Sequence, residues 1–197
     1  MKRDIYNKLN EWKKSSRRKP LILNGARQVG KTYALRHFGT NYYKNIAYLN
    51  FERDEKLLGF FENSLNPKEI LKLLSIHSEI DIQPKTTLLI FDEIQECPKA
   101  LNSLKYFCEE ANNYHIAAAG SLLGVKMNKR AGFPVGKVNF LHLHPLSFFE
   151  YLTATGNEKL RLYLEEINSF TPITSPIHDK LIQLLKYYFY ITIFFNF

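Results

Sequence analysis

The sequence predicts an α/β domain in which a parallel sheet carries helices on both faces, and three observations lead there. Short apolar runs alternate with segments of helical period, and the runs in the middle, Leu21-Ile22-Leu23, Thr87 to Phe91 and Ile116 to Ala119, are almost continuously apolar. Strands covered on both sides read that way. A glycine-bearing loop joins the first of these runs to a helix. Finally, 197 residues with 45% apolar positions and only 9 Gly and 8 Pro fit one globular core and exclude disordered, collagen-like and disulfide-scaffold chains. A chain of this length buries roughly 70% of the surface its unfolded form exposes, so two full domains would be cramped.

The elements follow in order. Ile5, Leu9 and Trp12 recur at helical spacing among Arg3, Lys8, Lys13 and Lys14, giving an amphipathic first helix that ends before Pro20 and covers a sheet edge. Leu21-Ile22-Leu23 is a buried strand, the loop Asn24 to Thr32 follows, and a helix then runs through about Phe38. Ile46 to Phe51 forms the second strand. Asn66-Pro67-Lys68-Glu69 opens a helix with an N-cap, a Pro at the first helical position and a Glu placed to close a capping box. Thr87 to Phe91 is a strand that ends in Asp92-Glu93. After Pro98 comes a helix with Leu101, Leu104, Cys108 and Ala111 on one face. Ile116 to Ala119 and Val138 to Leu143 are the remaining strands, and Ser147-Phe148-Phe149-Glu150 caps the next helix. Asn157 to Ile167 and Asp179 onward read as helical, with a Thr/Pro/Ser-rich break at Thr171 to Pro176. The stretch Tyr187 to Phe197 has neither a stop signal nor a polar face and reads as an interrupted element.

Gly25-x-x-x-x-Gly30-Lys31-Thr32 has the form of a Walker A loop, in which glycines let backbone N–H groups wrap phosphates at a helix N-terminus. Gly25, Ala26, Arg27, Gln28, Val29, Gly30, Lys31, Thr32 and Tyr33 are therefore the candidate nucleotide-binding residues. Lys31 reaches the β and γ phosphates in such a loop, and the Thr32 hydroxyl holds Mg²⁺. Asp92 and Glu93 end an apolar strand in a Walker B arrangement, with Asp92 assigned to Mg²⁺ through water and Glu93 to deprotonating the attacking water. Ser121 ends the following strand and is assigned to sensing the γ phosphate, a helix N-cap being its alternative. A base-reading N-K-x-D motif is missing, because Asn128-Lys129-Arg130 is followed by Ala131, so ATP is favoured over GTP.

Charge and cysteines narrow the rest. The net charge is +8, and the first 31 residues carry all of it, with ten basic side chains against Asp4 and Glu11. A general nucleic-acid coat is not expected, and an anion near the N-terminal segment is. Within that segment Lys13 to Lys19 reads either as a solvated helix end or as a contact to DNA or RNA phosphates. Cys97 and Cys108 form no C-x-x-C pair and read as inert thiols in a reducing compartment. His142 and His144 share a strand face without a third ligand nearby and read as structural. The N-terminus lacks the apolar core of a signal peptide, and the longest apolar run is about half the roughly 20 residues a membrane helix needs. A cytoplasmic protein without a membrane partner is expected.

The motifs Gly25 to Thr32, Leu89-Ile90-Phe91-Asp92-Glu93-Ile94-Gln95, Ala119-Gly120-Ser121-Leu122-Leu123-Gly124, Phe133-Pro134-Val135-Gly136-Lys137 and Pro145 to Leu152 together resemble a prokaryotic clade of AAA+ ATPases over about residues 3 to 186. The resemblance implies a P-loop NTPase sheet with the sensor strand between the two Walker strands, ATP and Mg²⁺ as ligands, and oligomeric or switch-like use of hydrolysis. It also implies that Asn50 restrains Glu93 until a partner engages, a plain strand-end Asn being the alternative, and it puts Arg130 where an arginine finger lies, a solvated loop Arg being the alternative. The chain then divides into an ATPase core over 1–155 and a partial helical region over 156–197. Members of the clade continue with a helical lid or winged-helix region and a nuclease-like domain, so a truncated or frameshifted product, or an artificial chain boundary, is expected here, with adenine closure weakened and the lid's arginine sensor absent.

Overall fold

The computed structural model describes residues 3–120, 134–168 and 172–194. The chain divides into two compact units, Ile5–Leu143 and a second that joins Met1–Asp4 to His144–Phe197.

In the first unit five parallel strands form one sheet in the order β2-β3-β4-β1-β5. They are β1 (Leu21–Asn24), β2 (Asn45–Asn50), β3 (Thr87–Asp92), β4 (His115–Ala119) and β5 (Asn139–His142). Every residue of the three central strands is buried, whereas the edge strands β2 and β5 alternate. That contrast explains why only the central strands read as continuous apolar runs.

Strand alternation sorts the core into two layers. Leu21, Leu23, Leu88 and Ile90 face one layer, which α1 (Ile5–Lys14) and α2 (Lys31–Tyr42) complete with Ile5, Leu9, Trp12, Leu35 and Phe38. Ile22, Leu89 and Phe91 face the other, completed by α3 (Lys56–Glu62), α4 (Pro67–Ser78) and α5 (Pro98–Glu110) through Leu57, Phe61, Ile70, Leu74, Leu104 and Phe107. Leu141 of β5 packs on the first layer, so α1 covers a face of the sheet next to its edge strand.

Three local details depart from the sequence reading. Asn66 caps α4 by accepting from the Lys68 N–H at 2.9 Å, but its own N–H goes to the Ser64 hydroxyl at 3.0 Å, so Glu69 closes no capping box. On α5 the expected Leu104 and Ala111 are buried and Leu101 packs against the same core, but Cys108 is only half-buried and the buried face widens to take in Ala100, Ser103 and Phe107. The helix α3 was not expected at all. At the opposite end of the strands from the glycine loop, buried His115 meets the Tyr43 hydroxyl at 2.7 Å. Burial is the main force that lowers the His115 imidazole to about 4, aided by nearby Arg18, Lys13 and Lys85.

In the second unit Ser147 and Glu150 form the expected capping box of α6 (Phe148–Ala154). Burial pushes the Glu150 carboxyl up, but the N–H groups of Ser147 and Asp4 and the Arg3 guanidinium at 2.9 Å outweigh it and hold it below its ordinary range. Two further helices follow, α7 (Glu158–Glu166) and α8 (Ser175–Phe194). Among the described residues no helix is long and apolar enough to cross a membrane.

Candidate active site

The site lies where β1 and β3 end. Leaving β1, the chain passes through Gly25 and the exposed residues Ala26, Arg27 and Gln28, is pinned by buried Val29, and enters α2 at Gly30. Gln28 (φ 67°) and Gly30 (φ 88°) are left-handed. Such reversals gather successive N–H groups into an anion-binding concavity, here at the N-terminus of a 12-residue helix. Gly25 is needed for a different reason, since a Cβ there would stand 2.3 Å from the Leu143 carbonyl oxygen.

Lys31 is 7% exposed, and its ammonium donates to the carbonyls of Gly25 (3.0 Å) and Ala26 (2.8 Å) within its own loop. Burial pulls the ammonium below its ordinary range, while the carboxylates of Glu93 and Asp92 pull it back up. The Thr32 hydroxyl, in the first turn of α2, donates to both Asp92 oxygens at 3.0 Å. This pairing follows from strand alternation: Leu88, Ile90 and Asp92 share the α2 face of β3. With its proton committed to Asp92, the Thr32 oxygen keeps its lone pairs for a cation. A hydroxyl and a carboxylate without thiolate or imidazole are the donors Mg²⁺ prefers, so the residues fit that ion.

Asp92 is 3% exposed and has two further partners that sequence reasoning missed or placed elsewhere. The Tyr48 hydroxyl donates to Asp92 Oδ2 at 2.6 Å, and the Asn50 amide donates to the same oxygen and to the Tyr48 hydroxyl, both at 3.2 Å. Asn50 pairs in register with Asp92, so its amide lies on that carboxylate and not on Glu93 as the resemblance implied. Tyr48 sits two residues earlier on the same strand face, a period-2 signal that the sequence contained. Burial raises the Tyr48 phenol above its ordinary range, and the bond to Asp92 adds to this.

Glu93 leaves β3 with a left-handed backbone (φ 51°) and opens the single 3₁₀ turn Ile94–Glu96. Its carboxylate accepts from the Gln95 amide at 2.6 Å. Exposed Tyr33 borders an open groove along α2 with Thr32, Arg36, His37, Thr40 and Asn41, and His37 lies between the Tyr33 and Tyr6 rings. Ser121 and Arg130 lie outside the described residues.

In the basic segment, Lys13 donates to the Tyr42 carbonyl, Arg18 to that of Asn112 and Lys19 to that of Gly136, leaving Lys14 and Arg17 exposed. Among the described residues no group of three or more His, Cys, Asp or Glu is placed to hold a metal ion.

A parallel sheet ordered β2-β3-β4-β1-β5, with a glycine loop after β1 and an acid pair after β3, defines a P-loop ATPase-type domain of the AAA+ kind. The sequence pattern of the family described as "AAA domain" matches residues 17–152, and the chain belongs to that family. It is 24% identical over 190 residues to the uncharacterized protein MJ1637 of Methanocaldococcus jannaschii, a match covering 91% of this chain and 38% of that one. The chain thus spans well under half of that relative. In fold it is similar to a chain of the Drosophila ORC bound to DNA (TM-score 0.52, 19% identity, 81% of this chain and 47% of that one). The Walker-type ATPase PABY2304 of Pyrococcus abyssi gives a TM-score of 0.47 at 15% identity, over 83% of this chain and 62% of that one.

Proposed function

We propose that this domain binds Mg²⁺-ATP at Gly25 to Tyr33 and hydrolyses the β–γ phosphate bond with Glu93 as general base. The observation that carries the reading is the contact of Thr32 with Asp92 at 3.0 Å beside the buried Lys31. Lys31 exchanges its loop carbonyls for phosphate oxygens, and the loop N–H groups hold the remaining phosphate charge. Thr32 and Asp92 hold Mg²⁺, which when bound neutralises charge on the β and γ phosphates. Glu93 takes a proton from water as the water oxygen attacks the γ phosphorus, and the β–γ bridging oxygen departs with its electron pair on ADP. Ser121, which lies outside the described residues, is assigned to sensing the γ phosphate.

The test is phosphate release by Glu93→Gln. Loss of the base lowers turnover by about 10²- to 10⁴-fold while ATP still binds. A variant as fast as the parent shows the base to be wrongly assigned. The bond from Gln95 to Glu93 favours a second reading, in which the domain holds ATP or ADP as a conformational switch with little turnover. Tight binding by the parent with negligible phosphate release, even at high protein concentration, selects that reading.

We place the domain in the cytoplasm and in a homo-oligomer, in keeping with the AAA+ class. Nucleic-acid contact through Lys13 to Lys19 is the weaker partner reading, because three of its basic side chains are engaged by backbone carbonyls.

A further inference from the structure

We propose that Tyr48 is a positioning residue for the Asp92 carboxylate, fixing which oxygen faces the cation, and that Asn50 ties this carboxylate to the turn after β2. The inference rests on the reading of Thr32 and Asp92 as the Mg²⁺ side of the site.

The two oxygens of Asp92 are not equivalent. Oδ2 accepts from Tyr48 at 2.6 Å, from Asn50 at 3.2 Å and from Thr32 at 3.0 Å, whereas Oδ1 accepts from Thr32 alone among the described residues. A carboxylate oxygen has about two good acceptor directions, so Oδ2 is saturated and Oδ1 is the oxygen left to receive a cation or its water. The Tyr48 bond is short and charge-assisted, the strongest class available to a neutral donor.

Tyr48 is itself held in place. Its ring lies under the Arg36 guanidinium at 5.0 Å from the ring centre, and Arg36 stands one helical turn beyond Thr32 on α2. Tyr48 is thus tied to α2 at both ends, directly through Arg36 on its ring and indirectly through Asp92, which accepts from Thr32. Asn50 supplies the link outward. Its Oδ1 accepts from the N–H groups of Glu52 (3.1 Å) and Arg53 (2.9 Å), which leaves the amide N–H₂ to face Asp92 and Tyr48. Glu52 and Arg53 are exposed, so a partner that displaces this turn reaches the Asp92 carboxylate through the Asn50 side chain.

Outer partners of metal-holding groups contribute about 10- to 100-fold in metal affinity. The experiment measures the thermal midpoint of the full chain at fixed ATP while Mg²⁺ is titrated, for the parent, Tyr48→Phe and Asn50→Ala. Tyr43→Phe is the matched control, since it also loses a buried hydroxyl bond, at 2.7 Å to His115, but at the opposite strand ends. Tyr48→Phe should need at least about tenfold more Mg²⁺ for half of the ATP-dependent rise, and Asn50→Ala should move in the same direction. Tyr43→Phe should match the parent. A Tyr48→Phe requirement within about twofold of the parent, or an equal shift in both Tyr→Phe variants, overturns the inference. If the parent's own response to ATP ignores Mg²⁺, the cation reading of Thr32 and Asp92 fails first and takes the role of Tyr48 with it.

Discussion

Replacing Gly25 by Ala tests whether the loop is held by close packing. The added Cβ would stand 2.3 Å from the Leu143 carbonyl oxygen and 3.1 Å from Val29 Cγ2. Carbon and oxygen ordinarily approach to about 3.3 Å, so something must move by roughly 1 Å. The carbonyl resists, because the Leu143 N–H donates to the Asn24 oxygen at 2.7 Å and β5 is paired to β1 up to Asn24 and His142. The loop therefore gives way. Overpacking of this kind costs about 1–3 kcal/mol, and at about 2–4 °C per kcal/mol the midpoint falls by roughly 2–12 °C. Displacing the loop by that distance also spoils the fit of its N–H groups to phosphate, so Gly25→Ala should lose most of its response to Mg²⁺-ATP. A variant that melts with the parent and responds fully to ATP would refute the packing argument.

Other outcomes follow from individual groups. Gly30→Ala meets no steric obstacle, yet holds a left-handed backbone at φ 88°, so it should cost about 1–2 kcal/mol in thermal melts, chiefly through strain. His115 has a folded value of about 4 against an ordinary 6.5, so the unfolded chain takes up a proton first as pH falls. Its contribution to stability is complete above pH 6.5 and is lost progressively as pH drops toward 4, and His115→Leu should flatten that part of the midpoint-against-pH curve.

The central strands were legible because both of their faces are buried, so nothing interrupts the apolar run from Leu88 to Phe91. The loop was legible because phosphate binding by backbone needs glycines at set places and a lysine beside them. What escaped was tertiary or short. The seven-residue helix α3, with Gly59 at its centre, has too few turns to show a period. The face of α5 was read too narrowly, because Ala100 and Ser103 pack as core beside Leu104 without being large or, for Ser103, apolar. Tyr48 reads in the sequence as one more strand aromatic, and its hydroxyl acquires a meaning only when β2 is set beside β3 with Asn50 opposite Asp92. The partner of Asn50 was misassigned for the same reason, since strand register decides whether an amide meets the aspartate or the glutamate that follows it.

ATP binding through Lys31 is the centre of the account, and the thermal midpoint tests it most directly. The parent and Lys31→Ala are melted with Mg²⁺-ATP, with Mg²⁺-GTP and without nucleotide. At a ligand concentration near 100 times its dissociation constant, binding contributes about 2.7 kcal/mol, which raises the midpoint of a domain this size by roughly 5–10 °C. That rise is expected with ATP, little of it with GTP, and none in Lys31→Ala. A cooperative transition that ignores nucleotide in the parent, or an undiminished rise in Lys31→Ala, would contradict binding through Lys31.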